Sequence, residues 1–283
     1  MPSKIVAVGK PLINRRTWTL AIVIAAIVIL IGVAAAGVFM LPDAYATNFE
    51  NKNLPPSFSH LFGTDWMGRD MLARTIKGLS TSILIGVLAA GISSVIAVIL
   101  GTLSAVMGKK VDQAVLWLID MVQGIPHLIL LMLISFMLGK GLQGVMVGIA
   151  VSHWPNLARV VRAEVLAVKN AQFVQASRKM GRSRLFIAVR HILPHVVPQY
   201  IVGLILLFPH AILHEASITF LGFGLSPEEP AVGVILSESM RYLTSGFWWL
   251  TVLPGAALLL IVLLFDAIGD NLRTIIDPYS AQE

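Results

Sequence analysis

Two histidines and a glutamate within one apolar stretch are the residues best placed to bind a ligand. His210 and His214 are four residues apart, and Glu215 follows directly. Side chains four apart lie on the same face of a helix, so two imidazoles at this spacing can bind a borderline metal ion such as nickel or zinc. The alternative is that both histidines hydrogen-bond to neighbouring helices. Ionisable groups in apolar segments usually face a cavity or a partner, so both interpretations stay open.

A second ionisable pair lies in an earlier apolar stretch. Asp120 and His127 are seven residues apart, which places them on one face of a continuous helix and lets them line the same path. The alternative is an interhelical hydrogen bond near the interruption at Gly124-Ile-Pro126. The sequence contains no Gly-x-x-x-x-Gly-Lys-Ser/Thr loop for ATP, no Gly-x-Ser-x-Gly and no His-Glu-x-x-His. We therefore interpret the chain as non-enzymatic, with no catalytic residue.

The composition is that of an integral membrane protein. Hydrophobic residues make up 57% of the chain and charged residues only 13%, whereas soluble domains carry about 25% charged residues. There are no cysteines, which excludes disulfides and thiolate metal sites. The net charge of +6 is concentrated in particular loops between apolar runs, a pattern that indicates orientation in a bilayer and not binding to nucleic acid.

Six apolar runs are long enough, or nearly so, to cross a bilayer. They are residues 18–41, 81–107, 114–138, 145–161, 196–221 and 248–268. The sequence thus predicts an all-α, polytopic membrane protein with a cytoplasmic arm (1–17), a first transmembrane helix (18–41), an outer segment (42–80), a transmembrane core (81–268) and a cytoplasmic tail (269–283). Fifteen of the 21 Lys and Arg residues then fall on the inner side, which places both termini in the cytoplasm.

The outer segment contains the string Phe62-Gly-Thr-Asp-Trp-Met-Gly-Arg-Asp70. Thr64 or Asp65 is a suitable cap for a helix that begins near Trp66. Asp65, Arg69 and Asp70 have opposite charges at nearly helical spacing and can pair locally. The string is interpreted either as an amphipathic helix on the membrane surface or as a direct substrate contact.

A basic loop at residues 162–195 has the pattern expected of a docking element for a cytoplasmic partner. Its apolar residues recur at helical spacing, and Gly181 separates two short helices. The residues that we expect to contact the partner are Gln175, Ala176, Ser177, Arg178, Lys179, Gly181, Arg182, Arg184, Leu193 and Pro194. The alternative is an ordinary positive cytoplasmic loop that binds nothing.

Four strings together resemble the permease subunits of ABC importers of the dipeptide, oligopeptide and nickel group. Gln175-Ala-Ser, Gly181 and His191-Ile-Leu-Pro194 are similar to the family's Glu-Ala-Ala, Gly and Ile-x-Leu-Pro, and depart from it at Gln175, Ser177 and His191. The other matching strings are Gly63-Thr-Asp-x-x-Gly-Arg-Asp70, Ser217-Ile-Thr-Phe-Leu-Gly-Phe-Gly224, and Phe265-Asp-Ala-Ile-Gly-Asp-Asn-Leu-Arg273 with Asp277-Pro278.

This resemblance implies the type I ABC importer permease fold in a bacterial or archaeal plasma membrane. It also implies a second homologous permease subunit, two ABC ATPase subunits that bind ATP and Mg²⁺, and an extracytoplasmic substrate-binding protein; this chain itself would hold no cofactor. The His-x-x-x-His pair and Ser152-His-Trp154 resemble nickel-type permeases. They favour nickel or a metal chelate as cargo, with di- or oligopeptides as the alternative. Since an importer must release its cargo, we expect metal contacts at His210 and His214 to be transient. A self-contained metal channel or ion-coupled carrier is the alternative of another class.

Overall fold

Eleven α-helices make up most of the computed structural model, which describes residues 15–276. In chain order they are α1 (Arg15–Phe39), α2 (Met71–Met107), α3 (Lys109–Gln123), α4 (His127–Met137), α5 (Gly141–Ser152), α6 (Trp154–Val168), α7 (Gln172–Lys179), α8 (Arg184–Ile187), α9 (Leu193–Phe220), α10 (Val232–Leu243) and α11 (Trp249–Ile276). A π-helical turn (Ala188–Ile192) joins α8 to α9. The predicted all-α architecture is confirmed. Most of the cytoplasmic arm (1–17) and the end of the tail (269–283) lie outside the described residues.

The long helix α2 forms the centre of the packing, with α1, α6 and α9 against it. Small residues allow two of these helices to come close. A Cβ added at Gly86 would lie 2.5 Å from the Ile212 side chain of α9, and one at Gly101 would lie 2.6 Å from the Ala158 carbonyl oxygen of α6. Gly86 and Gly101 therefore mark close contacts of α2 with α9 and α6.

Four described helical segments are long and apolar enough to cross a membrane: residues 17–39, Met71–Met107, Arg184–Phe220 and Trp249–Ile276. A fifth crossing is obtained if α3 and α4, which meet at an angle of 88°, form one broken span. The predicted interruption at Gly124-Ile-Pro126 is thus confirmed. Proline has no backbone N–H to donate and disfavours helical geometry in the residue before it, which explains the break. Because of this bend, Asp120 and His127 do not share one helix face, contrary to the prediction.

The start of α2 differs from the prediction of a helix near Trp66 and a span from residue 81. The helix begins at Met71, and its cap is Asp70, whose carboxylate accepts a hydrogen bond from the Ala73 N–H at 2.9 Å. Upstream of the cap the chain makes a turn, because Gly68 adopts the left-handed conformation, with φ of 74°. Thr64 pairs with Asp70 in an isolated bridge instead of capping a helix.

The C-terminal third also contains more helix than predicted. The predicted outer loop between residues 222 and 247 includes α10, and α11 extends to Ile276, eight residues beyond the predicted span. Helix α10 packs against α9 and α11 with a face of buried apolar residues that includes Val232 and Ile235. Pro227, Glu228, Glu229 and Pro230 precede this helix, whereas Glu238 lies within it.

Candidate functional site

A cavity of about 380 Å³ lies between α3, α4, α6 and α9. Its wall is polar at several points, and the polar lining residues are Gln123, His127, Ser152, His153, Asn156, His210 and His214. Three of the histidines form a cluster in which His127, His153 and His214 each place one ring nitrogen within 4.8 Å of the other two. The cavity therefore brings together His127, His210 and His214, three of the residues that the sequence analysis predicted for a substrate path.

Three separate elements of the fold build this histidine cluster. His127 is the first residue of α4, directly after the 88° bend, His153 links α5 to α6, and His214 lies in α9. The ring centroids are 4.5 Å apart for His127 and His153, 4.5 Å for His127 and His214, and 5.0 Å for His153 and His214. Each pair meets edge-on, at 73–82°.

Backbone carbonyl groups hold two of the three rings. Nδ1 of His153 lies 3.0 Å from the Ile149 carbonyl oxygen, and Nδ1 of His214 lies 2.7 Å from the His210 carbonyl oxygen. A carbonyl oxygen only accepts, so each Nδ1 carries the hydrogen, and in the neutral ring the lone pair is on Nε2. Nε2 of His127 is buried and has no hydrogen-bond partner among the described residues.

The predicted metal pair is not the group that the structure assembles. His214 is in the cluster, but its neighbours there are His127 and His153, while His210 is exposed elsewhere on the cavity wall. Spacing along one helix placed His210 and His214 on a common face, whereas the bend before α4 and the link between α5 and α6 bring two other rings to His214. His153 was recognised only in the string Ser152-His-Trp154, not as a ligand.

Two other residues predicted for the substrate path lie elsewhere. Glu215 is fully buried, away from the cavity, and accepts a hydrogen bond from the Thr219 hydroxyl at 3.0 Å. It follows His214 by one residue, so the helix turns it to a different face. Asp120 is exposed and pairs with Arg159 of α6 at 2.7 Å. This contact is the interhelical hydrogen bond that the sequence analysis offered as the alternative for Asp120.

The predicted break at Gly181 separates α7 from α8. Gly181 has φ of 76°, its N–H donates to the Arg178 carbonyl at 3.0 Å, and the Arg182 N–H donates to the Ser177 carbonyl at 3.3 Å. These two bonds and the left-handed residue form a Schellman motif, in which glycine is strongly favoured. No atom of the described residues lies within 4 Å of a Cβ built at Gly181. The turn therefore projects freely from this chain.

Exposed basic and apolar side chains cover the surface around this turn. The exposed residues among those predicted to contact a partner are Gln175, Ala176, Arg178, Lys179, Gly181, Arg182, Arg184 and Pro194. Met180 and Leu185 are also exposed, at 74% and 59%. Ser177 is buried and Leu193 is half-buried, so these two residues pack against the rest of the chain and are less available to a partner. We call α7, the Gly181 turn and α8 the coupling region.

Other basic residues of the predicted loop bind their own chain. Arg162 donates two hydrogen bonds to the Asp112 carboxylate, at 2.6 and 2.7 Å, and Asp112 also accepts one from the Ser104 hydroxyl. Lys169 donates to the Ala105 carbonyl at 2.5 Å, and Arg184 donates to the Met107 carbonyl at 3.1 Å. Arg184 thus joins α8 of the coupling region to the end of α2, whereas Arg162 and Lys169 join α6 to the start of α3 and the end of α2.

An ion-pair network in the outer segment was largely missed by sequence reasoning. Asp65 is fully buried and accepts hydrogen bonds from Arg69 Nε and Arg74 Nη1, both at 2.7 Å. Glu238 of α10 accepts from Arg74 Nη2 at 2.9 Å. Trp66 stacks on Tyr242 with centroids 4.7 Å apart. Local pairing of Asp65 with Arg69 was predicted, but Arg74 and Glu238 were not, since the latter is far away in sequence.

Comparison with known proteins matches residues 93–279 to the family described as "Binding-protein-dependent transport system inner membrane component". The dipeptide transport system permease protein DppC of Bacillus subtilis is 34% identical over 246 residues, which are 87% of this chain and 77% of that protein. The oligopeptide transport system permease protein OppC of the same bacterium is 34% identical over 269 residues, 94% of this chain and 88% of that protein.

Solved structures support the fold. Inward-facing conformations of the MetNI methionine ABC transporter include a chain that aligns with a TM-score of 0.61 at 21% identity, covering 73% of this chain and 98% of the other. The family consists of inner-membrane transport components, so the chain is a multi-pass permease subunit and not the subunit that hydrolyses ATP. This chain belongs to the family of binding-protein-dependent transport system inner membrane components and is an ABC importer permease similar to DppC and OppC.

Proposed function

We propose that this chain is one of two permease subunits of an ATP-driven importer whose cargo is a di- or oligopeptide. Relatives named for dipeptides, oligopeptides and D,D-dipeptides, at 34–35% identity, support peptides over the nickel cargo favoured in the sequence analysis. The second subunit would be a homologous permease, and two ABC ATPases and an extracytoplasmic binding protein would complete the importer. Because the family depends on a binding protein, a self-contained channel or carrier is disfavoured.

The exposed coupling region carries this proposal. It presents Arg178, Lys179 and Arg182 beside exposed Met180 and Leu185, a combination of charge and apolar surface that suits a protein interface. A basic groove of about 520 Å³ lies beside it, bounded in part by Lys169 and Arg184. We infer that one of the two ATPases docks here. Movement of the ATPase would pass from α8 to the end of α2 by the Arg184–Met107 contact, and the Arg162–Asp112 contact would pass it between α6 and α3.

We further propose six membrane crossings with both termini in the cytoplasm. Helices α5 and α6 are joined at His153 and contain 12 and 15 residues, so they reach about 40 Å if nearly straight, against a hydrocarbon core of about 30 Å. Together with the bent pair α3 and α4, they would supply the two crossings beyond the four long helical segments. This arrangement places the coupling region and most of the basic residues inside.

Reconstitution tests this function directly. The permease pair, its ATPases and its binding protein are placed in liposomes, and uptake of labelled dipeptide, labelled oligopeptide and radioactive nickel is measured in parallel. We expect peptide accumulation that requires ATP and is lost with an ATPase variant that cannot hydrolyse it. Nickel accumulation without peptide uptake would support the second candidate cargo, which the histidine cluster favours. Flux of either substrate through this chain alone, without ATP, would contradict the proposal.

A further inference from the structure

We propose that His127, His153 and His214 form a binding site for a borderline divalent transition-metal ion, such as Zn²⁺ or Ni²⁺, on the wall of the cavity. Imidazole nitrogen is a preferred ligand of these ions. The three rings come from α4, from the link between α5 and α6, and from α9, so a bound ion would connect three elements of the permease. The site goes beyond the proposed peptide transport and does not depend on it.

The spacing of the nitrogens suits one metal ion. Three nitrogens bound to a tetrahedral metal at about 2.0–2.1 Å lie roughly 3.4 Å from one another. The ligand nitrogens of the three histidines are already within 4.8 Å of one another. Small rotations of the rings, moving each nitrogen by about 1 Å, would therefore complete the geometry. His127 and His214 are only half-buried, which leaves them room to rotate.

The hydrogen bonds of the cluster resemble those around metal-bound histidines. A ligating histidine usually donates its other ring N–H to a carboxylate or backbone carbonyl, which fixes the tautomer and the ring orientation. His153 and His214 both donate Nδ1–H to backbone carbonyls, of Ile149 and His210. Each of these two rings thus carries its hydrogen on Nδ1 and its lone pair on Nε2. Nε2 of His153 lies 3.4 Å from Nδ1 of His214, a weak hydrogen bond that a bound metal ion would replace.

The third ring, that of His127, has a nitrogen without a hydrogen-bond partner, and a metal ion would bind to it. Nε2 of His127 is buried without a hydrogen bond among the described residues, whereas most buried polar side-chain atoms have one. A metal ion within the cluster would satisfy this nitrogen. Three protein ligands also leave at least one coordination position open. Since the rings line the cavity, that position can take water or a donor atom of a chelating peptide.

Aromatic packing is the competing explanation. Edge-on rings with centroids 4.5–5.0 Å apart also stabilise each other without a metal. Replacement by phenylalanine separates the two explanations, because it keeps an aromatic ring and removes the ligand nitrogens. His210→Ala is the matched control, since His210 lines the same cavity but is not in the cluster.

The test uses the complete importer in lipid nanodiscs, stripped of metal with a chelator and then equilibrated with Zn²⁺ or Ni²⁺ alone. Bound metal is measured by mass spectrometry, and affinity by competition with a chelator. We expect one ion per copy of this chain, unchanged in His210→Ala. In His127→Phe and His214→Phe, we expect affinity to fall by at least about 10–100-fold, the loss that removal of an outer-shell partner alone produces. Thermal unfolding shows whether either phenylalanine variant is misfolded. If one is, the metal affinity of the other variant tests the site.

Equal metal retention by the wild type and both phenylalanine variants, or no retention by the wild type, would overturn the site. A second arm identifies the source of the ion. ATP-driven accumulation of Ni²⁺, free or supplied as a histidine-peptide chelate, that is lost in the phenylalanine variants would identify a cargo site. Retention without accumulation would identify a resident ion. Both of these outcomes support the site, and neither depends on whether unmetallated peptides are transported.

Discussion

Substitution of Gly181 offers a direct test of the coupling region. A Cβ at this position meets no described atom within 4 Å, so a larger side chain clashes with nothing in this chain. The cost of a larger residue within this chain comes only from the backbone conformation, because φ is 76° and the Schellman motif needs a left-handed residue. Any further effect of bulk at Gly181 must therefore come from a partner protein.

The intrinsic cost of a non-glycine residue here is about 1–2 kcal/mol, and a β-branched residue is a pronounced outlier in this conformation. A cost of that size lowers the ratio of native to non-native turn roughly 5–30-fold. The backbone cost of Gly181→Val should therefore reduce transport by up to that factor, while Gly181→Asn should retain more activity because asparagine tolerates the left-handed region. Membrane insertion and yield should stay close to the wild type.

Gly246, between α10 and α11, provides a matched control. Its φ is 89°, and a Cβ there also meets no described atom within 4 Å. Gly246→Val should carry a similar local cost without altering the coupling region. The assay is peptide uptake per ATP hydrolysed by reconstituted importers. Normal coupling in a well-inserted Gly181→Val variant, or an equal loss in Gly246→Val, would refute the docking role.

Three further predictions concern packing. Asp65→Asn should lower the free energy of unfolding by about 3–5 kcal/mol, because it leaves the buried Arg74 with less charge compensation. Thermal unfolding in detergent measures this loss, and Asp43→Asn, at an exposed position, is the control. Gly68→Ala should abolish stable insertion, since its Cβ would lie 1.7 Å from a backbone carbonyl oxygen, and unchanged yield would contradict this. Arg162→Ala should lower the free energy of unfolding by about 1–2 kcal/mol and reduce the uptake per ATP hydrolysed. If both quantities stay at the wild-type value, the bond from Arg162 to α3 has no role in coupling.

Local signals in the sequence predicted several features correctly. Gly181 and Gly124-Ile-Pro126 each interrupt an apolar or amphipathic pattern, and both interruptions exist because backbone chemistry acts within a few residues. The exposed basic side chains of α7 and of the Gly181 turn also follow from a short pattern. Such features need no knowledge of which helices become neighbours.

Features that depend on distant contacts could not be read in this way. The histidine cluster joins positions 127, 153 and 214, and its assembly requires the 88° bend and the link between α5 and α6. Helical periodicity relates His214 only to residues three or four positions away, so it selected His210. Likewise, Arg74 showed no sign in the sequence of its distant partner Glu238.

The distance along the chain between Arg74 and Glu238 has a consequence for biogenesis. At about 5–20 residues per second, the ribosome needs roughly 8–33 s to make the 164 residues that separate them. During that interval, Arg69 and Arg74 share the carboxylate of Asp65 without Glu238. The ion-pair network at the beginning of α2 is therefore complete only after α10 has been synthesised.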